Sequence, residues 1–161
     1  MLEIVSEPEI KNGEEAYSYL SEIRKLVRYL EISDGNMEEG SLRADLNISV
    51  RKKGTTKFGT KVEVKNMNSF RNVQKAIDFE IIRQIDLIEG GTPIFQETRT
   101  FDAAKNCTIG LRTKEDAHDY RYFPEPDLVP VMVTPSYISE VRETMPPLPY
   151  ELFKKYTTKL S

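Results

Sequence analysis

Apolar residues recur every three or four positions along two stretches of the chain, and every second position along several others. Residues 13–31 place Ala16, Leu20, Ile23, Val27 and Leu30 on one helical stripe, with Asn12 set to cap the first turn. Residues 70–89 repeat the pattern more strongly: Phe70, Val73, Ile77, Ile81, Ile85 and Ile88 step by three and four. Asn68 or Ser69 opens that helix, and Gly90 or Gly91 in "EGG" closes it. Such a stripe predicts a helix laid on a sheet.

Period-two alternation marks the strands. "LRADLNISVR" (42–51) puts Leu42, Ala44, Leu46, Ile48 and Val50 on one face. Arg43, Asp45, Asn47, Ser49 and Arg51 fall on the other. After a turn near Gly54, a second strand spans about 61–67, with Val62 and Val64 opposed to Glu63 and Lys65. Shorter candidates lie at 2–5, 94–101 and 108–113. "SDGNMEEGS" (33–41) is a loop by composition, and residues 115–134 read as an ordered loop leading into a short strand. Two short helices divided by a proline break follow. These elements predict an α+β fold, helices packed on one face of a mainly antiparallel sheet.

At 161 residues the chain suits one domain with a real core. No apolar run approaches the roughly 20 residues that span a bilayer, and the N-terminus lacks the basic start and apolar block of a signal peptide. Cys107 is the single cysteine and His118 the single histidine. An internal disulfide and a Cys/His zinc cluster are therefore excluded, and a reducing compartment is expected. Any metal would be a hard ion held by carboxylates, as Mg²⁺ is. The net charge of −3 is unevenly spread: residues 42–75 carry nine basic and two acidic side chains. That segment is either a basic hairpin tip that discourages aggregation or a positive wall aimed at phosphates.

The polar faces hold the candidate chemistry. Asp and Asn are poor strand formers, yet Arg43, Asp45 and Asn47 stand in a row. The next strand adds Glu63, Lys65 and, near its end, Asn66 and Asn68. "QETRTFD" (96–102) offers Glu97 and Arg99 with one parity, and Gln96 and Thr98 with the other; the loop supplies Glu38 and Glu39. Carboxylates, fixed cations and amides together suit phosphoryl transfer, in which Mg²⁺ bridges phosphates and Arg or Lys neutralises developing charge. The competing reading is a set of cross-strand ion pairs on a wet sheet face, each contributing of order 0–1 kcal/mol. No GxxxxGK[ST] or GxGxxG loop supports a nucleotide fold of the common kinds.

Five stretches carry a resemblance: "LEIVSEPEI", "YLEISDGNMEEGSLRADLNISV", "VEVKNMNSFRNVQKAIDFEIIRQIDLIEGG", "QETRTFD" and "AHDYRYFPEPDL". In order, and over residues 2 to about 134, they resemble the B-subunit family of aspartyl/glutamyl-tRNA amidotransferases. The resemblance implies a cradle domain similar to the glutamine synthetase fold. It implies an ATP- and Mg²⁺-dependent phosphorylation of the side-chain carboxyl of Glu or Asp mischarged on tRNA(Gln) or tRNA(Asn). Ammonia from a partner amidase, the A-subunit of the same complex, then displaces the phosphate, and a small C-subunit completes the assembly.

Carried over to this sequence, Glu39 and Glu63 are the expected Mg²⁺ ligands, with Glu38 as an alternative to Glu39. Arg43, Asp45 and Lys65 are the expected catalytic groups, Arg43 and Lys65 stabilising phosphate charge. Asn47, Asn66, Arg121 and Tyr122 are expected to position or contact nucleotide and substrate, Tyr122 and Phe123 by packing or base stacking. Residues 1–134 would be cradle and 135–161 the helices that begin a linker. The family has further segments on either side, so the chain taken alone is expected to fold at least partly without catalysing amidation. A cytoplasmic or organellar-matrix location follows from the same resemblance. Two other functions compete: a non-catalytic piece that docks partner proteins of the complex, and an RNA-binding module built on residues 42–75.

Overall fold

The computed structural model describes residues 2–113 and 127–159. The chain divides into two compact units, Met1–Glu115 and Asp116–Ser161. The first holds helix α1 (Gly13–Tyr29), strands β1 (Leu46–Ile48) and β2 (Val62–Lys65), helix α2 (Phe70–Glu89), and strands β3 (Glu97–Asp102) and β4 (Cys107–Thr113). The second holds helices α3 (Pro135–Thr144) and α4 (Pro149–Lys159), split by Pro146 and Pro147, whose rings cannot continue a helix. No helix among the described residues is long and apolar enough to cross a membrane.

Both long helices start where side-chain oxygens meet otherwise orphaned N–H groups. Asn12 accepts from the Glu15 N–H at 2.8 Å, and the Glu15 carboxylate accepts from the Lys11 N–H at 2.8 Å. Ser69, one of the two expected caps, accepts from the Asn72 N–H at 3.2 Å. At the far end Gly90 caps the helix and Gly91 takes the left-handed conformation, φ +73°.

The sheet has the order β1-β2-β3-β4. Its outer pairings are antiparallel and its central pairing, β2 with β3, is parallel. A parallel neighbour needs a long crossover, and α2 supplies it. The fold is thus α+β as expected, with a mixed sheet in place of consecutive hairpins.

Val62 and Val64, without exposed surface, meet Val73, Ala76 and Ile77 of α2 and Phe101 of β3. Each fully buried valine contributes roughly 1.5–3 kcal/mol. Helix α1 lies on α2 through Gly13, whose N–H donates to Asp78 at 3.2 Å. A Cβ at Gly13 would stand 2.6 Å from the Gln74 carbonyl oxygen, so no larger residue fits the crossing.

Four expectations are corrected. Residues 2–5 form no strand: no other strand pairs with them, and Leu2 and Val5 are exposed. The strand expected over 42–51 is shortened to Leu46–Ile48, because β2 offers a ladder only over Val62–Lys65. The alternation of burial nevertheless runs on from Leu42 to Ile48. The short strand expected before α3 is absent from the described residues 127–134. In α2, Ile85 and Ile88 are exposed, and the buried line continues instead through Glu80 and Gln84.

Candidate functional site

Strand alternation sorts the polar side chains into two groups on opposite faces of one sheet. Asn47 faces Glu63 across β1–β2, and Glu63 faces Thr98 across β2–β3. Paired residues point the same way, so these three form a row on the face turned away from α2. Val64 pairs with Arg99, which puts Arg99 with the valines on the α2 face.

On the far face, the Glu63 carboxylate is buried, at 7% exposure. Thr98 Oγ1 donates to its Oε2 at 3.0 Å, and Lys65 Nζ lies 3.4 Å from its Oε1. The same ammonium sits 3.5 Å from Asp45 Oδ2. Lys65 therefore stands between two carboxylates, one buried and one half-exposed. Asn66, beside it, is left-handed at φ +66° and donates its amide to Thr100 Oγ1 at 2.9 Å. A non-glycine residue held in that region stores strain of order 1–3 kcal/mol.

The other expected site residues lie farther out. Glu39 is exposed on a turn over residues 37–40 that ends at Gly40, φ +80°. Arg43 folds over the same turn: a Cβ at Gly40 would be 3.5 Å from its Nη2. The preceding loop is tied down locally, Asp34 accepting from the Asn36 N–H at 2.9 Å and Asn36 from the Glu38 N–H at 3.1 Å. The Asn36 N–H, the Ser41 hydroxyl and the Arg28 and Arg24 charges hold the Asp34 carboxyl below its ordinary value, against slight desolvation. Glu38 faces a cleft of about 430 Å³ with Tyr17, Arg24, Asn36, Phe70 and Arg71. Arg121 and Tyr122 fall outside the described residues, as do Phe123 and His118.

The structure therefore brings Asp45, Lys65, Glu63 and Asn47 onto one patch with Asn66 at its edge, and places Glu39 and Arg43 together on the neighbouring turn. Among the described residues no three His, Cys, Asp or Glu side chains gather as a metal-holding group. An ammonium occupies the point where the two carboxylates converge. This donor set does not make a resident metal centre. A nucleotide-borne Mg²⁺ draws on only one or two protein carboxylates.

Sequence reasoning missed a second cluster, on the α2 face. Glu80, fully buried, accepts from Arg83 through both carboxylate oxygens at 2.9 Å, from Gln84 Nε2 at 3.2 Å, and from the Thr108 hydroxyl. Arg99 Nε is 3.1 Å from Glu80 and donates to Thr108 Oγ1 at 2.8 Å. Its Nη1 reaches Glu97 at 2.9 Å and its Nη2 the Thr108 carbonyl at 2.9 Å. Burial alone would raise the Glu80 carboxyl, but these donors and the Arg83 charge outweigh it and hold it below its ordinary value. The Glu80-Arg83-Gln84 spacing was the available signal, since residues three and four apart share a helix face.

A mixed sheet crossed by one long helix, with carboxylate, ammonium and amide groups aligned across its strands, places the chain in the α+β class. Residues 1–139 match the family described as the GatB/GatE catalytic domain, and the chain belongs to that family. It is 59% identical over 151 residues to the B-subunit of the aspartyl/glutamyl-tRNA(Asn/Gln) amidotransferase of Alkalilimnicola ehrlichii, covering 94% of this chain and 32% of that one. The corresponding B-subunit of Gloeothece citriformis is 58% identical over 160 residues, covering 99% and 32%. That of Thioalkalivibrio sulfidiphilus is 55% identical over 158 residues, covering 98% and 33%. The chain spans about a third of the length of these relatives.

Proposed function

We propose that this chain forms part of the phosphoryl-transfer site of a tRNA-dependent amidotransferase. The observation that carries the reading is Lys65 held between Asp45 and Glu63 on a sheet face shared with Asn47 and Thr98. The relatives' names, which print an aspartyl/glutamyl-tRNA(Asn/Gln) amidotransferase, support glutamyl-tRNA(Gln) and aspartyl-tRNA(Asn) as the proposed substrates.

In this reading ATP, carried with Mg²⁺, provides the γ-phosphoryl group. A side-chain carboxylate oxygen of the mischarged amino acid attacks phosphorus, the bond to ADP breaks, and an acyl phosphate forms. Ammonia then attacks the acyl carbon and inorganic phosphate departs with the bonding pair, leaving the amide. The partner amidase delivers that ammonia, and the small C-subunit completes the assembly.

Lys65 and Arg43 offset charge on the transferred group, where fixed cations act most strongly. Asp45 orients Lys65. Glu63 and Glu39 are the carboxylates proposed for the nucleotide-borne Mg²⁺. Asn47 and Asn66 orient polar groups, and Arg121 and Tyr122 are proposed substrate contacts.

Calorimetry of ATP binding to this chain, with and without Mg²⁺ and beside Glu63→Gln, tests the reading. Mg²⁺-dependent binding that weakens in the variant is expected. Binding that ignores both Mg²⁺ and Glu63 would remove the nucleotide from this patch.

A second reading has its own observation. Between β1 and β2 the segment 51–61 carries five cations and no acid. The Arg51 guanidinium stacks over the Phe58 ring, 4.6 Å from its centre, and that ring is 54% exposed. Basic side chains beside an exposed aromatic suit a nucleic-acid backbone with a stacked base. Affinity for tRNA should fall steeply with salt, and neutralising Lys52, Lys53 and Lys57 should flatten the slope by about 0.7–0.9 per lost phosphate contact. An unchanged slope would leave the loop without that role.

A further inference from the structure

The strand that carries Thr98 to Glu63 is irregular at that very point. Thr98 pairs with Arg112 and Arg99 with Gly110, so the β3–β4 register shifts between them and Leu111 has no partner. A bulge disrupts the local ladder, increases twist and re-aims the side chains beside it. Side chains must then hold its shape. Thr98 and Arg99 flank the bulge and point to opposite faces, Thr98 to Glu63 and Arg99 to Glu80.

On the α2 side every arm of Arg99 is engaged: Nε by Thr108 and Glu80, Nη1 by Glu97, Nη2 by the Thr108 carbonyl. Gly110 lies against this group: a Cβ there would make ordinary contacts, 3.4 Å from Glu97 Oε2 and 3.6 Å from Arg99 Nη1. Glu80 is the hub. It joins α2 to β4 through Thr108 and to β3 through Arg99, and its partner Gln84 donates to the Ile48 carbonyl of β1 at 3.2 Å. Two carboxylates, Glu80 and Glu97, balance two guanidiniums, Arg83 and Arg99. Removing the Glu80 charge leaves an excess cation in a largely buried place, which forces rearrangement.

We propose that Glu80 is a positioning residue for Glu63: by anchoring Arg99 and Thr108 on the side of the bulge that follows Thr98, it sets the course of β3 that presents the Thr98 hydroxyl to Glu63 on the opposite face. The functional part of this inference rests on Glu63 being a site carboxylate, but the mechanical coupling is readable without any ligand.

The test is NMR of this chain in three forms: unaltered, Glu80→Gln and Val73→Ala. Val73 is fully buried on the same helix, so its truncation weakens the core without touching the cluster. In Glu80→Gln the Thr98 methyl carbon should move to a rotamer-averaged shift, and amides of residues 98–100 should exchange about tenfold faster through local opening. Val73→Ala should leave the Thr98 methyl in place. If Glu80→Gln does not fold, Thr108→Val, which removes the hydroxyl between Glu80 and Arg99 but no charge, should move the same methyl by less in the same direction. Thr98 signals unchanged in the cluster variants, or moved as far by Val73→Ala, would overturn the proposal. Mg²⁺·ATP affinity on the same samples should drop roughly tenfold in Glu80→Gln, the scale of losing an outer-shell partner. A chain that binds no nucleotide in any form would count against the functional reading, while the Thr98 methyl still decides the positioning.

Discussion

Two clusters of carboxylates and cations stand on opposite faces of one sheet, with strand β3 contributing to both. The one facing α2 is sealed: Glu80 has no exposed surface, and Arg83 and Arg99 are 18% and 14% exposed. Its donors outnumber what a surface pair offers, and its charges balance. The one on the far face is looser. Its ion-pair separations are 3.4 and 3.5 Å rather than 2.9–3.3 Å, and Lys65 and Asp45 are 32% and 42% exposed. Each is suited to a different task. Tightly bonded polar groups specify a packing arrangement, and in this cluster the buried Gln84 Oε1 is the atom left without a hydrogen-bond partner. Longer contacts with solvent access leave an ammonium and carboxylates that can exchange partners.

Arg99→Met puts this contrast under the greatest stress. It leaves Glu80 and Glu97 against a single guanidinium, and stripping one partner from a buried pair costs about 3–5 kcal/mol. A urea midpoint close to that of the unaltered chain would mean the cluster is not acting as one unit.

Acid should find the same cluster next. A carboxyl held below its ordinary 4.5 in the folded state adds stability above its unfolded value. That contribution is lost as pH falls through the lower, folded value. The urea midpoint of the unaltered chain should therefore drop on acidification below about pH 4.5, and Glu80→Gln should show a shallower drop in that window. Parallel curves would reassign the acid sensitivity to other carboxylates.

Thr98→Val probes the strand that serves both faces. It removes one hydroxyl from a buried carboxylate that keeps Lys65, so a loss of about 1–3 kcal/mol is expected by thermal unfolding. The smallest stability change belongs to Asp45→Asn, about 0–1 kcal/mol, because its pair with Lys65 is 42% and 32% exposed and is screened by solvent. Its effect should appear in nucleotide affinity instead. A loss as large as that of Arg99→Met would make the far-face cluster structural and dissolve the contrast.

Much of the fold could be read from local pattern. Asn12, Ser69 and Gly90 cap the helices they were expected to cap, since capping depends only on residues within a turn of the helix end. The Arg43, Asp45 and Asn47 parity holds even where the ladder stops, because steric alternation along an extended chain does not need a partner. Helix α2 shows the limit. Its isoleucines at 85 and 88 promised burial by spacing, yet Glu80 and Gln84 took the sheet-facing line. Arg99 and Thr108, nineteen and twenty-eight positions on, made that burial tolerable, and no window on the helix contains them.

The candidate site divides in the same way. Local sequence was enough to say which polar groups share a strand face: Glu63 with Lys65, Asp45 with Asn47, and Thr98 opposite in parity to Arg99. Long-range packing was needed to establish that Asp45, Lys65, Glu63 and Thr98 meet, that Glu39 stays on an outer turn, and that Glu97 and Arg99 serve the buried cluster. The physical reason is that alternation is a property of each strand, whereas register comes from cross-strand pairing, the α2 crossover and the bulge between Thr98 and Arg99. These join residues far apart in the chain, and no local periodicity encodes them.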